Sequence, residues 1–414
     1  EYYYCIDATA SAAKHFSNRE LSADLTTPAR GTKTEVLSFR TQARDAAPHT
    51  YYVSENGDDS GSGGKDSPWR TISHAACMAK AGDTVLVYGG TYRESVRIRA
   101  TGDIGRQLTI AAVPGEKAWL DGNVRQLNFA FSAWNKKHVT LDGFYFREIR
   151  ESGQLGTAGI VLINADHITI NRGFYDGRSA GYTPGFVRAV NCANLTLSNS
   201  FTTRAFHGMS FNSCPDLLIR NCVFYINQIN SCTIHNKADE KAVLRNNIWI
   251  DNTLQKVSNP LINLSDAASL EESDNCFFLR IPETEKTLFG YLRFKDENLP
   301  MSDKGEVLER QWRLQGRFGM EMATYADFLQ RTDRQGNAIF ADPGFKALPN
   351  LIRFASLEDW EKNYSKFGAQ HNRDEYHRID GAFLPLDFSD FQTTNPELIK
   401  RKIGIEGSNW PQGD

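Results

Sequence analysis

A set of basic, imidazole and hydroxyl side chains lies between residues 188 and 237 at spacings that β-strands would bring together. Because strand side chains alternate between two faces, every second residue of five short aliphatic segments is expected to point outward. These outward positions are polar only in the three middle segments, as Arg188 and Val190, Ser210 and Asn212, Thr233 and His235. The flanking segments are predicted to present apolar pairs, Val161 with Ile163 and Ile262 with Leu264.

Such side chains suit chemistry on a carboxylated sugar. A guanidinium or ammonium group neutralises a uronate carboxylate, and an imidazole or amine removes the neighbouring proton in a β-elimination. We therefore predict catalytic roles for His207, His235, Arg188 and Lys237, and substrate-binding roles for Asn212, Ser210, Thr233 and Arg204. The alternative interpretation is an ordinary solvated sheet face on which His235 stacks among its neighbours.

Hydrolysis of a sugar bond would require a different set, two carboxylates roughly 5 to 9.5 Å apart. No motif marks such a pair, and acids in loops are commonly solvated turn residues. The candidates are Glu148, Glu151, Asp176, Asp239, Glu240, Asp251 and Asp266. The loop Asn56–Asp59 has the composition of a Ca²⁺ loop but equally of a plain turn, so no cofactor is predicted.

A sequence repeat sets the elements that must position these residues. Six times between Val139 and Phe278, an aliphatic β-rich stretch is followed by Asn or Asp and then by an aromatic residue. The copies begin 22 to 29 residues apart. A unit of that length cannot bury its own apolar face, so the copies must stack as coils of a solenoid built from short strands.

The repeated Asn and aromatic residues are predicted to be structural. Stacked Asn side chains at coil corners satisfy backbone groups that would otherwise be buried without partners. This set consists of Asn171, Asn199, Asn221, Asn246 and Asn275, and the aromatic set of Phe174, Phe201, Phe224, Trp249 and Phe277. We expect the aromatic rings to form core or corner stacks and not sugar platforms.

A family resemblance is carried by five short stretches that precede the repeat. They are Tyr51–Ser54, Ser67–Ile72, Ala81–Val87, Gly89–Tyr92 and Trp119–Gly122. They closely resemble the leading segment of secreted right-handed parallel β-helix proteins of the pectate lyase-like superfamily. The resemblance implies an all-β fold, a right-handed parallel β-helix with an N-terminal capping helix over Thr71–Lys80. It also implies an extracellular address and a polysaccharide partner, but the scaffold carries lyases, hydrolases, esterases and inert adhesins alike.

The predicted organisation has two parts. Residues 1–46 resemble the C-terminal part of a fibronectin type III or immunoglobulin-like domain, a partial β-sandwich-like segment joined by a linker. Residues 51–414 are assigned to the β-helix. Within it we expect a cap and leading segment at 51–92, core coils at 108–278, a side-packing insertion at 283–380 and a closing segment at 381–414. Tyr325–Leu329 is predicted to form a helix that packs on the side of the solenoid.

Composition narrows the function further. A net charge of −3 argues against nucleic acid as a partner, and no apolar run approaches the roughly 20 residues of a membrane span. Without an initiator Met or a signal-like segment, the chain is expected to be a mature chain or a fragment of a larger extracellular protein. Its seven cysteines are predicted to be mainly buried free thiols, although Cys192 and Cys214 occupy neighbouring coils and could pair.

Together these patterns predict a secreted carbohydrate-active enzyme that acts on an acidic polysaccharide as a lyase or a glycoside hydrolase. The alternative is a non-catalytic extracellular β-helix with a structural, adhesive or glycan-binding role.

Overall fold

A computed structural model of the chain describes residues 47–122, 129–149, 158–177, 185–205, 207–225, 227, 230–251, 260–284, 286–294, 318–346, 348, 351–363 and 387–406. The predicted immunoglobulin-like segment at 1–46 and the candidate acid Glu151 lie outside these residues. The boundary between the two units of the chain falls between Ala47 and Pro48. None of the described helices is long and apolar enough to cross a membrane.

Three stacked sheets form the β-helix. Sheet A contains β1 (Thr50–Val53), β2 (Thr84–Val87), β5 (Leu108–Ala112), β8 (Lys137–Asp142), β11 (Asp166–Asn171), β14 (Ala193–Ser198), β17 (Leu217–Arg220), β20 (Ala242–Arg245) and β23 (Leu270–Ser273). Sheet B contains β4 (Val96–Arg97), β7 (Phe129–Trp134), β10 (Ala158–Ile163), β13 (Gly185–Val190), β16 (His207–Asn212), β19 (Asn230–His235), β22 (Ile262–Leu264), β25 (Phe289–Phe294) and β26 (Phe318–Ala323). Sheet C contains β3 (Gly90–Tyr92), β6 (Ala118–Asp121), β9 (Phe144–Arg147), β12 (Phe174–Asp176), β15 (Phe201–Thr203), β18 (Val223–Tyr225), β21 (Ile248–Ile250) and β24 (Cys276–Phe278).

Each central coil runs from sheet A through sheet C to sheet B, and equivalent strands of successive coils pair in parallel. The register places the aliphatic positions of the repeat directly above one another, as in Val139, Ile168 and Leu195 of sheet A. These side chains are fully or almost fully buried in the continuous core. The predicted parallel β-helix is thereby confirmed.

The corners between sheets A and C are built by the repeated Asn residues. Asn199, Asn221 and Asn246 adopt left-handed backbone conformations, with φ of 49°, 55° and 57°, which Asn tolerates better than most residues. Their side chains bond to neighbouring chain segments, as when Asn199 Nδ2 donates to Asn171 Oδ1 at 3.1 Å. Asn275 lies further inside and accepts two hydrogen bonds from Asn247. The Asn ladder is therefore structural, as predicted.

A short helix closes the N-terminal end of the core. Helix α1 (Ile72–Met78) begins after Thr71, whose side chain accepts a hydrogen bond from the His74 backbone. Its buried face consists of Ile72, Ala75 and Ala76, which belong to the main apolar core. Because a solenoid would otherwise expose that core at its first coil, α1 acts as the predicted lid.

Helix α2 (Tyr325–Thr332) closes the other end, which corrects its predicted position on the side of the solenoid. Phe328 stacks on Phe289 of β25 with ring centroids 4.4 Å apart. Tyr325 packs against Phe277, an inward-facing residue of β24, and its hydroxyl donates to Glu272 at 2.6 Å. The aromatic residues of α2 therefore cover the last coil because inward-facing rings are left without a further coil to pack against.

The outer face of sheet C is covered by the closing segment. Phe174 and Phe201 point outward from this sheet, whereas Phe224, Trp249 and Phe277 point into the main core. Phe391 of the closing segment, described over residues 387–406, packs on Phe201 with ring centroids 4.0 Å apart. That segment contains the 3₁₀ turn Phe388–Phe391 and helix α4 (Pro396–Lys400), while α3 (Leu357–Asn363) precedes it in the chain.

The described cysteines are mostly free, as expected. Cys192, Cys214, Cys222, Cys232 and Cys276 are buried thiols. The suggested bond between Cys192 and Cys214 is wrong, because both sulfurs remain reduced. Cys77, by contrast, is disulfide-bonded.

Candidate functional site

The predicted patch lies on the outer face of sheet B, the surface of that sheet turned away from the core. Arg188, Ser210 and Thr233 are direct neighbours across β13, β16 and β19. Asn212 and His235 form the adjacent column of the same face. Since neighbouring parallel strands lie about 4.8 Å apart, the structure brings these five side chains into one contiguous surface.

One predicted register is wrong at the end of this surface. Ile262 and Leu264 pair with Cys232 and Ile234 and point into the core, so Asn263 faces outward beside Thr233. The connection between β21 and β22 is long. The sequence spacing therefore does not reveal which residues of β22 face inward and which face outward. Asn263 extends the polar surface by one coil.

His207 is held in one orientation by a chain of hydrogen bonds. Its Nδ1 lies 2.7 Å from Asn230 Oδ1, and Asn230 Nδ2 donates to Thr233 Oγ1 at 2.6 Å. An amide oxygen only accepts, so Nδ1 of His207 carries the proton, and in the neutral ring the lone pair lies on Nε2. Asn230 is fully buried. The network thus prepares His207 as a proton acceptor at Nε2.

At this network the backbone of the His207 coil approaches that of the following coil closely. A Cβ on Gly208 would lie 2.2 Å from the backbone oxygen of Ser231. Only glycine allows that approach, which sets Asn230 directly beside His207 in the register. The connections that lead into these two strands, residues 204–206 and 226–229, are also the short ones among the central coils.

His235 differs from His207 in its electrostatics. It is half-buried, and its Nε2 atom is inaccessible to solvent. Burial and, to a smaller extent, the nearby His207 lower the pKa of His235 to about 4. The ring is therefore neutral near pH 7 and adds no charge to the surface.

The charge on this surface has a single sign. The described strands β4, β7, β10, β13, β16, β19 and β22 contain no Asp or Glu. They carry the guanidinium groups of Arg97 and Arg188. A face without carboxylates and with fixed cations attracts anionic ligands, even on a chain of net charge −3.

Two predicted site residues follow strands and do not lie within those of this surface. Lys237 is exposed in the turn after β19, where its backbone N–H donates to Glu240 Oε2 at 2.9 Å. Arg204 is buried, and its Nε donates to Asp176 Oδ1 at 2.7 Å. Because this ion pair is closed to solvent, we do not include Arg204 in the outer-face site.

The described carboxylate candidates do not form a hydrolytic pair on this face. Asp176 is paired with Arg204, and Asp251 forms a buried ion pair of 2.9 Å with Lys286. Asp266 caps a turn by accepting from the Ala268 backbone.

No group of three possible metal ligands occurs among the described residues. In the Asn56–Asp59 loop, Asp59 accepts hydrogen bonds from Thr71, which is a structural use of that acid.

Sequence reasoning missed Asn230 and the outward residues of the first coils. Asn230 stands in the position equivalent to His207 one coil later, and only the register reveals their contact. A usable signal was the shortest step of the repeat, which contains His207. Trp134 and Arg97 were missed because β7 and β4 precede the aligned copies.

Comparisons with known proteins agree with this architecture. Residues 51–203 match a family model described as the Pel9A-like right-handed β-helix region. An uncharacterized protein of Bacillus subtilis, YwoF, is 28% identical over 145 residues, which are 33% of this chain and 31% of that protein. The chain therefore aligns with about a third of this curated relative.

Two solved structures each align with the same share of this chain. The crystal structure of pectate lyase Pel9A is 16% identical, with a TM-score of 0.45 over 56% of this chain and 62% of that one. A rhamnogalacturonan lyase is 14% identical, with a TM-score of 0.45 over 56% of this chain and 74% of that one. The strand topology shows that the chain is a right-handed parallel β-helix, and its residues 51–203 match the Pel9A-like model of that fold.

Proposed function

We propose that the protein cleaves an acidic polysaccharide by β-elimination on the outer face of sheet B. The observation that carries the proposal is the oriented imidazole of His207 on a face that has cations and, in the seven strands from β4 to β22, no carboxylate. Hydrolysis by paired acids has no equivalent support there. The match to a Pel9A-like region supports a polysaccharide as the substrate class.

The residues divide the reaction between them. His207 Nε2 accepts the C5 proton of a uronate unit, and the electrons of that C–H bond form the C4=C5 double bond. The C4–O4 bond breaks, and the leaving oxygen takes a proton from solvent. Arg188 neutralises the uronate carboxylate and stabilises the negative charge that develops on it in the transition state. Asn230 and Thr233 hold the tautomer that makes His207 a base.

We also propose an extracellular location. The disulfide at Cys77 fits an oxidising compartment, where such bonds persist. The proposed polysaccharide substrate is too large to enter cells, so an enzyme that cleaves it must act outside them.

A panel of uronate polymers tests the activity. We expect incubation with homogalacturonan, alginate or rhamnogalacturonan to raise the ultraviolet absorbance of the unsaturated product in step with new reducing ends. Reducing ends without that absorbance would show hydrolysis and contradict the mechanism. Binding without any cleavage would support the non-catalytic alternative instead.

A further inference from the structure

Trp134 is an exposed aromatic residue within the candidate surface. Its side chain exposes 57% of its area although it ends a strand of sheet B. The registers place Trp134 beside Ile163 of β10, then Val190 of β13, Asn212 of β16 and finally His235 of β19. Trp134 therefore belongs to the column that contains two predicted site residues.

Cationic residues lie on the strands and turns next to the one that carries this ring. Arg97 is exposed on β4, and its register partner is Ser132, two residues before Trp134. Arg99 is exposed two residues further along the chain. Neither guanidinium forms an ion pair with a carboxylate of the described residues, and that of Arg97 lies over the Phe129 ring, 5.8 Å from its centroid. Burial and the like charge of Arg99 lower the pKa of Lys136, so positive charge is concentrated at this end of the face.

An indole ring and guanidinium groups that form no ion pair within the described part of the chain recognise two parts of the same ligand. The ring offers a flat apolar surface for the C–H face of a pyranose, while a guanidinium bonds a carboxylate in a bidentate manner. A hydrophobic peptide would use the ring alone and would leave the cations without partners. The combination fits an acidic sugar.

We propose that Trp134 and Arg97 form a second subsite that binds an acidic sugar unit of the same polysaccharide. The inference rests on the proposed function and adds the length and direction of the bound chain. Three coil steps separate β7 from β16, or about 14 Å along the axis. Ile163 and Val190 supply apolar positions between the subsite and Asn212. The polymer thus runs along the helix axis and extends about three units beyond the reacting sugar.

Binding of oligosaccharides of two lengths tests the subsite. Isothermal titration calorimetry would compare trimers and octamers of galacturonate and of mannuronate on the wild type, Trp134→Ala, Trp134→Phe and Arg97→Ala. We expect Trp134→Ala to weaken octamer binding roughly tenfold and Trp134→Phe to retain most of it, because stacking is the lost interaction. Trimer binding stays unchanged. Ile104→Ala, which removes an exposed apolar side chain from a turn outside sheet B, is the control.

The outcomes separate the two proposals. Equal octamer affinity for the wild type and Trp134→Ala would overturn the subsite, while cleavage of polymer by the wild type would leave the proposed function standing. Equal losses for trimer and octamer would also overturn it, because Trp134 would then act on the reacting site or on folding. If the wild type binds none of the four oligosaccharides, the subsite fails, and the proposed function is then decided by the polymer panel, which also contains rhamnogalacturonan.

Discussion

At the scale of single residues, the orientation of His207 is the main determinant of the proposed chemistry. Its ring is fixed through Nδ1 by a buried amide, and that amide is fixed in turn by Thr233. A neutral amide partner sets the tautomer without placing a negative charge beside the ring. A carboxylate in the same place would set the tautomer and also hold the proton.

We therefore expect Asn230→Asp to move the rising limb of the pH–rate profile to higher pH, by roughly one pH unit. The new carboxylate stabilises the charged ring, so the neutral base appears only at a higher pH. Initial rates between pH 5 and 10 would measure the midpoint. Asn164→Asp, at an exposed corner after β10, is the matched control. An unchanged midpoint in Asn230→Asp would show that His207 is not the titrating base.

His235 makes a separate prediction about stability. Its pKa is about 4 in the folded chain and 6.5 in the unfolded chain, so the unfolded state binds more protons as the pH falls from 6.5 to 4. Folding stability is lost over that range, by up to about 3 kcal/mol from this residue. We expect His235→Gln to lose correspondingly less between pH 7 and pH 4 in urea unfolding. The same pH dependence in both proteins would contradict the burial of a neutral ring.

At the scale of elements, both ends of the core are closed by helices with aromatic or aliphatic inner faces. The C-terminal closure depends on Phe328, which stacks on the last described coil. Without it the inward rings of β24 and β25 meet water. The helix therefore stabilises strands that lie far from it in the sequence.

We expect Phe328→Ala to lower the stability of the last coils by roughly 3–5 kcal/mol. Thermal unfolding would show a lower Tm, and hydrogen exchange would locate the loss in β22–β25. Gln330→Ala changes an exposed residue of the same helix and serves as the control. A Tm within the range of that control would place the aromatic face of α2 outside the core.

The repeat predicted the coils well because stacking imposes one register on every aliphatic triplet. It could not predict which face of β22 is buried, where Asn263 and not Ile262 faces outward. The reason is that the connections from sheet C to sheet B differ in length from coil to coil. Nor could spacing place α2 on the end of the core. That position follows from rings left exposed by the last coil, which only the assembled structure reveals. The same limit hid Asn230 from the sequence.

At the scale of the whole molecule, charge is distributed unevenly. The chain carries a net charge of −3, yet strands β4, β7, β10, β13, β16, β19 and β22 of sheet B have no acidic residue. Acids lie instead at other corners, as Asp142 does with Arg172 between sheets A and C. An anionic polymer is therefore attracted to the outer face of sheet B.

Binding of an acidic polymer should accordingly weaken as salt rises, since the contacts are screened ion pairs. We expect Arg97→Ala and Arg188→Ala each to make the slope of log affinity against log salt shallower. Lys362→Ala removes an exposed cation of α3 that pairs with Glu358, and should leave the slope unchanged. Equal slopes for all four proteins would place the polymer on another surface.

The central claim is that His207 removes a proton from an acidic sugar on the outer face of sheet B. The most direct measurement is the rate of unsaturated-product formation by His207→Asn beside His167→Asn, a change of an exposed histidine at a corner of sheet A. We predict a loss of roughly 10²–10⁴-fold for His207→Asn, typical of removing a general base, and a rate near that of the wild type for His167→Asn. Elimination at an undiminished rate in a folded His207→Asn protein would contradict the account.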